Sequence, residues 1–504
     1  MKNKIIKNTV SLAVAVSLLG SCNGWLEATS STQVSDATLY SSRSGFQDAL
    51  CGVYISMGSE YEYGAYWTWY VNELVYGPYA PQSSTIFTAI QNHKWEYNRL
   101  ILILHNMWQA GYFSIANANK VLYELDARPG IVSDKTERDL MRGELLALRA
   151  YIHFDMMRMF GLVQLTSEDD FAKLAIPYST EYVKDPAPQR NYRETLDLLE
   201  KDLDEAITLL SEDPVRGNAS ETFMANANAD GFWDNRDKRM NYFAAKALKV
   251  RVLLFKSELD SAYSAAEDLI AELKAANAFS WVDAEAMTSA TSNDEVDWTF
   301  SSEQIFALEV SELQNLTDLL IFNASTLGSS SLLIDKAIAD VSLFNPSFVS
   351  SAEDIRGPAL MLKFVSDNYR PYKYYNNSSY YEGYRNRVPM IKVSELYLIM
   401  AEIAAERSDT ESVNENLYEV RRHRGIQDPA DGLFISSSSN NENVLLEYFK
   451  EFCGEGVAYY ATRRIAAKRN SYVDLDPTWF NRILSLGAYP YPVDELSYGR
   501  KQEL

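Results

Sequence analysis

The sequence predicts a mainly α-helical protein in which pairs of helices are separated by long, loop-rich insertions. Apolar residues recur every three or four positions over several long stretches, which is typical of amphipathic helices. Very short polar turns join neighbouring stretches, and the segments between the pairs show no such period. The chain has 504 residues, of which 47% are hydrophobic, so it can bury a large core.

The strongest helical pattern covers residues 143–160, whose apolar face consists of Leu145, Leu148, Ile152, Met156 and Met159. The same spacing predicts helices over 192–210, 241–258, 261–273, 394–407, 412–424 and 442–468. Small residues would let two of these helices approach closely, namely Ala244, Ala247, Ala262 and Ala265. Antiparallel pairs of this kind resemble tetratricopeptide units, although their spacing is irregular. We therefore expect four tetratricopeptide-like helical hairpins with long insertions.

The aromatic residues concentrate in the insertions. Residues 57–99 interleave Tyr and Trp with Gly and Pro, residues 211–240 are rich in Asn and Asp, and residues 274–393 end in a tyrosine cluster. Because binding residues are common on loops held by a rigid frame, these segments are the candidate ligand-binding parts. We expect one body over residues 22–504, with a helical part at 22–273, the insertion at 274–393 and a second helical part at 394–504.

The N-terminus has the pattern of a bacterial lipoprotein signal peptide over residues 1–21. Lys2, Lys4 and Lys7 precede a short apolar run, which is below the roughly 20 residues needed to span a bilayer. Ser-Leu-Leu-Gly-Ser then leads to Cys22, which we predict is diacylated and becomes the mature N-terminus. The alternative is an ordinary signal peptide with an incidental cysteine. Removal of residues 1–21 changes the formal net charge from −22 to −25.

Charge and metal-ligand content exclude several classes of function. So acidic a chain is poorly suited to nucleic acid, whose phosphates are bound by Lys and Arg. With four histidines and neither a CxxC nor an HExxH pattern, the sequence shows no metal site, and we expect no cofactor. Besides Cys22, only Cys51 and Cys453 are present; they could pair, but two buried free thiols are the preferred interpretation.

Nine segments of the chain together carry a family resemblance. One is GELLALRAYIHFDMMRMFG at 143–161, and the others are 46–54, 115–122, 202–206, 244–255, 303–309, 394–402, 416–425 and 489–496. Taken in order, they resemble the SusD/RagB family of outer-membrane lipoproteins of Bacteroidetes, and segment 143–161 is similar to the family's signature helix. The segment LLEYFKEFCGEGVAYYATRRI departs from the family pattern, because Val457 and its neighbours replace an arginine, and Ala461 or Thr462 an aspartate.

This resemblance implies a SusD-like fold and a protein that binds nutrients at the cell surface and is not an enzyme. It further implies a SusC-like TonB-dependent transporter as partner, an oligosaccharide as ligand, and a lipid-anchored, surface-exposed position on the outer membrane. Some relatives serve peptide importers, so a peptide- or protein-binding lipoprotein of the RagAB type is the alternative.

The candidate ligand residues are aromatic and amide side chains in the loops, because a sugar presents flat CH faces and a rim of hydroxyls. They are Trp67, Trp69, Tyr70 and Asn72, with Glu73 beside them, then Trp281 and Trp298, then Tyr372 and Tyr374. For each aromatic the alternative is a place in the core. Trp233 is a further candidate, because an Asn/Asp-rich loop is an unusual setting for a core tryptophan.

A catalytic alternative depends on paired carboxylates, which can hydrolyse glycosides. The pairs Glu200/Asp204 and Glu451/Glu455 have helical spacing, and we interpret both as ordinary solvated helix faces. We likewise assign Arg421, Arg422 and Arg424 to a basic last turn of a helix instead of an anion site.

Overall fold

The computed structural model describes residues 35–81, 84–322, 332–347, 349–376, 379–428, 440–466 and 475–504. Of the described residues, 58% are in helices and 6% in strands, which confirms the mainly α prediction. The predicted signal peptide and Cys22 lie outside the described residues. Within the described residues, we find no helix with both the length and the apolar character needed to cross a membrane.

Ten helices of ten or more residues form the frame among the described residues. They are α1 (Arg43–Met57), α2 (Asn98–Ala127), α3 (Lys135–Phe160), α4 (Tyr192–Leu209), α5 (Tyr242–Phe255), α6 (Leu259–Ala275), α7 (Val393–Glu406), α8 (Thr410–Arg421), α9 (Asn440–Glu451) and α10 (Val457–Ala466). Shorter helices are Asp36–Leu39, Val71–Tyr76, Thr85–Gln91, Glu168–Ala172, Glu221–Asn226, Ala284–Ser289, Leu313–Thr317, Lys336–Ile338, Val349–Glu353, Pro477–Leu484 and Val493–Ser497.

Helix α3 contains the predicted helix 143–160 and begins eight residues earlier, at Lys135. Its N-terminus is capped by Asp134, whose carboxylate accepts a hydrogen bond from the backbone N–H of Glu137 at 2.9 Å. Met156, Met157 and Met159 are fully buried, which confirms their prediction as core residues. Because almost every side chain from Glu144 to Phe160 is buried, α3 is a central helix with neighbours on all sides.

Successive helices pack against one another along the chain. Helix α1 contacts α2, α2 contacts α3, and the same holds for each following pair up to α7 and α8. Ala244, Ala247 and Ala262 are buried where α5 and α6 pack, as predicted, whereas Ala265 is half-buried. Gly111 of α2 is required by a close approach, since a Cβ there would lie 2.5 Å from the ring of Trp67.

The predicted long helix over 442–468 is wrong, because a turn divides it into α9 and α10. The turn contains Gly454 and Gly456, which have φ angles of +80° and +74° in the left-handed region that favours glycine. A Cβ on Gly456 would lie 2.6 Å from the carbonyl oxygen of Trp67. The turn therefore also needs glycine to pack on residues 57–99, which we call the aromatic N-terminal segment.

Two small sheets belong mainly to the insertion. Strand β1 (Gln304–Glu309) pairs antiparallel with β5 (Arg387–Lys392) just before α7. Strand β4 (Asn368–Pro371) lies between β2 (Ile334–Asp335) and β3 (Leu362–Val365), both antiparallel to it. Strand β5 of the first sheet ends at Lys392, and α7 of the helical frame begins at the next residue.

A buried network of charges joins the insertion to α9, and it corrects the interpretation of Glu451 and Glu455 as solvated. Glu451 is fully buried and receives hydrogen bonds from Arg424 at 2.7 and 2.9 Å and from Lys392 at 3.0 Å. Glu455 is also buried and accepts from Lys392 at 2.8 Å and from Lys373 at 2.6 Å. We call these residues, together with Glu303 and Arg356, the charge network.

The charge network includes one of the arginines predicted at a helix end. Arg421 is the last residue of α8, and Arg422 and Arg424 lie in the short 3₁₀ turn that follows, so the predicted basic helix end is confirmed. Arg424 is nevertheless completely buried, and its guanidinium donates to Glu303 at 2.6 and 2.8 Å as well as to Glu451. Arg421 is buried as well, whereas Arg422 lies at the surface beside Glu419.

Candidate functional site

The signature helix α3 holds a surface loop, residues 177–187, through two of its side chains. Arg149 forms a bidentate ion pair with Asp202 of α4 at 2.6 and 2.7 Å and donates to the carbonyl oxygen of Thr180 at 2.9 Å. Tyr178 donates to the same Asp202 carboxylate at 2.6 Å. Both ends of the Arg149 guanidinium are thus used, which fixes the start of the loop against the helices.

His153 holds the loop in a second way, as a neutral imidazole. Its Nε2 accepts the backbone N–H of Ser179 at 3.0 Å, so its Nδ1 carries the proton and donates to the carbonyl oxygen of Arg149 at 2.8 Å. Burial lowers the pKa of His153 to about 3, and the ring stacks on Tyr178 with centroids 4.0 Å apart. This residue stays uncharged at neutral pH and acts as a fixed support for the loop.

Helix α2 supplies the remaining contacts to the loop. Tyr112 donates its hydroxyl to the carbonyl oxygen of Pro177 at 2.6 Å. Asn119 donates to the carbonyl oxygens of Ser179 at 3.1 Å and Glu181 at 3.3 Å. Because the carbonyls of residues 177 and 179–181 accept hydrogen bonds from side chains of two helices, the first part of the loop is fixed, and we call the loop the wall.

Between this wall, the outer face of α2 and the C-terminal residues Glu495 and Arg500 lies a cleft of about 880 Å³. Its aromatic lining consists of Tyr61, Trp108, Tyr112 and Phe113. Polar lining residues include Asn106, Gln109, Lys184, Asp185 and Arg500. The side chain of Phe113 is 62% exposed, so an apolar ring faces solvent at the edge of a polar cleft. We call this region the α2 cleft.

The floor of the α2 cleft contains hydroxyl groups above a buried acid. Ser56 and Ser59 line the cleft, and Ser114 beneath them donates to Glu62 at 2.6 Å. Glu62 is completely buried, and burial raises its pKa well above the usual range, with Asp155 adding to this effect. The floor is therefore polar, and the protonated form of Glu62 is favoured there.

Such a cleft has the chemistry that binds carbohydrate. Aromatic rings offer apolar faces to the CH groups of a sugar, while amide and charged side chains at the rim bind hydroxyls. Tyr61 and Phe113 provide ring surface that solvent can reach, and Asn106 and Gln109 on the same helix face provide amides. Among the described residues, no group of His, Cys, Asp and Glu is arranged to hold a metal ion.

Most of the candidate residues predicted from the sequence lie in the core instead of at the surface. The exposed fractions are 2% for Trp67, 1% for Trp69, 7% for Tyr70, 0% for Asn72, 0% for Trp298 and 3% for Tyr374. Their polar atoms are mostly bound inside the protein: Trp69 donates to Gly64, Asn72 to Trp67, Trp298 to Asn293 and Tyr374 to Gly454. Direct ligand contact by these six is corrected to a structural role, because a ring with no exposed face cannot stack on a ligand.

Trp233 is likewise a core residue. It is completely buried, and its indole N–H donates to Glu137 of α3 at 3.2 Å. Arg236 and Arg239 lie over its ring. The Asn/Asp-rich loop therefore inserts its tryptophan into the protein, which is the reverse of what its polar neighbours suggested.

Three of the buried candidates are nevertheless brought together behind the cleft. A continuous series of ring contacts runs from Tyr61 at the cleft through Tyr66, Tyr70 and Trp69 to Tyr374 of the insertion. The centroid separations lie between 4.9 and 6.5 Å, within the range of favourable aromatic pairs. We call this series the aromatic chain. It connects the insertion to the cleft, and of its members only Tyr61 lines the cleft.

Trp281 and Tyr372 are the two candidates that remain half-buried. Trp281 stacks on His423 with centroids 4.5 Å apart and rings inclined by 7°. Tyr372 stacks on Tyr375 at 5.8 Å. Neither lines the α2 cleft, so each stays a prediction of a separate ligand contact.

The sequence reasoning missed Phe113, Tyr112, Trp108 and the loop 177–187. One signal was available: Leu102 and Phe113 fall outside the buried stripe of α2, and both are exposed. The two cysteines are free thiols, which confirms the preferred interpretation, but neither is fully buried: Cys51 is exposed and Cys453 half-buried.

Comparison with known proteins points to one family. A model described as "Starch-binding associating with outer membrane" matches residues 25–227, and one described as "SusD family" matches residues 356–500. A SusD-like protein of Formosa agariphila is 26% identical over 216 residues, which are 42% of this chain and 39% of that relative's length.

Solved structures share the fold at low identity. A SusD superfamily protein of Bacteroides thetaiotaomicron has a TM-score of 0.63 at 18% identity, covering 90% of this chain and 98% of its own. One from Bacteroides vulgatus has a TM-score of 0.64 at 20% identity, covering 92% and 98%. A SusD-like carbohydrate binding protein of the same species has a TM-score of 0.59 at 18% identity, covering 84% and 83%.

Proposed function

This chain belongs to the SusD/RagB family, and on that premise we propose that it captures oligosaccharides at the α2 cleft. The observation that carries the proposal is the exposed Phe113 ring at the rim of a cleft of about 880 Å³ that also contains Tyr61 and two amides. A cleft of this size falls within the range that binds small ligands.

The rigid wall of the cleft supports a binding role. Loop 177–187 is held by Arg149, His153, Tyr112 and Asn119 before any ligand arrives. Pre-organisation of this kind reduces the entropy lost on binding.

Family membership also supports a place in nutrient uptake at the outer membrane. In this proposal, Cys22 carries the lipid anchor, and the protein presents its ligand at the cell surface to a SusC-like TonB-dependent transporter. It acts as a binding protein without catalysis. Protease shaving of intact cells tests the location, since a surface lipoprotein is cleaved and a periplasmic one is protected.

A peptide is the second candidate ligand. Lys184 and Asp185 line the cleft with opposite charges, and both are exposed, so the wall could bind the charged groups of a short peptide. A binding screen with both polysaccharides and protein digests separates the two ligand classes.

The decisive experiment is affinity electrophoresis of the purified protein in gels containing plant and host polysaccharides, followed by calorimetry with the oligosaccharide that binds. Phe113→Ala and Tyr61→Ala remove ring surface from the cleft, and we expect each to weaken binding by about tenfold, or about 1.4 kcal/mol. Both side chains are partly exposed, so folding should be retained.

Two control variants make the experiment specific to the cleft. Tyr498→Ala removes a ring that is 78% exposed but does not line the cleft, and it should leave the affinity unchanged. Trp281→Ala tests whether Trp281, which stacks on His423 outside the cleft, is a separate ligand contact. Unchanged affinity of the Phe113 and Tyr61 variants, with a loss in the Trp281 variant, would move the ligand site to Trp281.

A further inference from the structure

An enclosed cavity lies where the aromatic N-terminal segment meets helices α3, α5, α7 and α10. Its volume is about 30 Å³, enough for one or two water molecules. Tyr63 and Trp67 line it from the N-terminal segment, Asp155 and Arg158 from α3, and Gly456 and Val457 from the turn and start of α10. The last two lie in the segment whose sequence departs from the family pattern.

Two buried hydrogen-bond donors on this cavity have no acceptor in the protein. Trp67 is 2% exposed and its Nε1–H makes no hydrogen bond; Arg158 is 5% exposed and its Nε–H makes none. An unsatisfied buried donor costs about 1–3 kcal/mol, so each of these two donors favours an acceptor in the cavity that both residues line.

The charges around the cavity determine what kind of acceptor it can be. Three guanidinium groups line it, those of Arg158, Arg251 and Arg464, and three carboxylates, those of Asp155, Glu395 and Glu455. Each has an ionic partner: Arg158 pairs with Asp155, Arg251 with Glu395 at 2.6 Å, Arg464 with Glu402 at 2.8 Å, and Glu455 with Lys392 at 2.8 Å. An added anion would have no free counter-charge and would incur the cost of burying a charge.

We propose that the cavity binds one or two ordered water molecules that accept hydrogen bonds from Trp67 Nε1 and Arg158 Nε. A water oxygen accepts two hydrogen bonds, and its own hydrogens can be donated to the carboxylates that line the cavity. This water joins the N-terminal segment to α3 and provides an acceptor for the buried indole N–H of Trp67.

A crystal structure at about 1.8 Å resolution, from crystals grown in sodium bromide, tests the proposal directly. We expect a density peak about 2.7–3.2 Å from both Nε atoms, with no anomalous signal at the bromine edge. A peak with anomalous signal would show an anion and overturn the neutral acceptor. An empty cavity would overturn the proposal altogether.

Nuclear magnetic resonance of the ¹⁵N-labelled, deuterated protein gives an independent readout in solution. The indole N–H of Trp67, assigned by its loss in the Trp67→Phe variant, should show a cross-relaxation peak to a long-lived water. The matched control is Trp69, equally buried, whose indole donates to Gly64 at 2.9 Å and should show no such peak. The absence of the Trp67 peak would contradict the proposal.

Discussion

Two carboxylates that are both completely buried, Glu451 in the charge network and Glu62 beneath the α2 cleft, are held in opposite ways. Glu451 lies among Arg424, Lys392 and Arg356, whereas Glu62 accepts a hydrogen bond from the hydroxyl of Ser114 and forms no ion pair within the described part of the chain. The cations around Glu451 compensate its negative charge, whereas the Ser114 hydroxyl alone does not compensate a negative charge on Glu62.

The pKa values follow from these environments. Burial alone would raise the pKa of Glu451, but Arg424 and Lys392 outweigh it and hold the pKa well below its usual range. Burial raises the pKa of Glu62 well above its usual range. Pairing with Lys373 and Lys392 therefore attaches the insertion to Glu451 and Glu455, whereas burial at the cleft floor favours the protonated form of Glu62.

Removal of Arg424 should give the largest effect, because it leaves Glu303 and Glu451 buried without their shared cation. We expect Arg424→Met to lower the free energy of unfolding by about 3–5 kcal/mol in denaturant titrations. The control is Arg422→Met, whose guanidinium is 47% exposed and pairs with Glu419 at the surface; it should cost at most about 1 kcal/mol. Equal losses in the two variants would show that the network contributes nothing beyond a surface pair.

Glu62→Gln should reveal the opposite pH dependence at the cleft floor. Because the folded state keeps Glu62 protonated above the pH at which the unfolded chain releases the proton, stability decreases as the pH rises from about 4.5 towards the folded-state pKa. Glutamine cannot ionise, so the variant should gain up to about 1.4 kcal/mol per pH unit relative to the parent within that window.

Denaturant titrations at pH 4, 6 and 8 measure this gain, and Glu181→Gln at the exposed loop surface is the control. The difference between Glu62→Gln and the parent should grow with pH, and that for Glu181→Gln should stay flat. Parallel stability curves for the Glu62 variant and the parent would show that folding does not raise the pKa of Glu62, and they would remove the contrast with Glu451.

The sequence was sufficient to predict the helical frame, because the apolar stripes of α3, α4, α5 and α7 are read directly from residue spacing. It was insufficient for the charged residues, since spacing shows which residues share a face but not what packs on that face. Glu451 and Glu455 have the spacing of a solvated helix, yet the insertion covers them with Lys373 and Lys392.

The same limit explains the misplaced aromatic residues. Trp69 and Tyr374 are far apart in the chain and become core residues only because the turn at Gly454 brings them together. The α2 cleft was missed because its lining comes from four separate segments, and no single segment has a distinctive pattern. Contacts between residues far apart in the chain determine both the burial of Trp69 and Tyr374 and the position of the α2 cleft. The local spacing of apolar residues carries no information about such contacts.

The smallest expected effect concerns the wall of the cleft. Asn119 of α2 accepts from Arg149 at 2.8 Å and donates to the loop carbonyls of Ser179 and Glu181. Asn119→Ala should cost about 1 kcal/mol of stability, speed backbone hydrogen exchange in residues 177–187 and weaken ligand binding a few-fold. Hydrogen exchange measured by mass spectrometry reports on the wall independently of any ligand.

The matched control is Asn416→Ala in α8, a buried asparagine that donates to the carbonyl oxygen of Ser412 at 2.8 Å. It should cost a similar free energy and leave both the loop exchange rates and the affinity unchanged. If both variants alter ligand affinity equally, the wall is not a special part of the site. If Asn119→Ala loosens the loop without a change in affinity, the α2 cleft binds its ligand without a contribution from the wall.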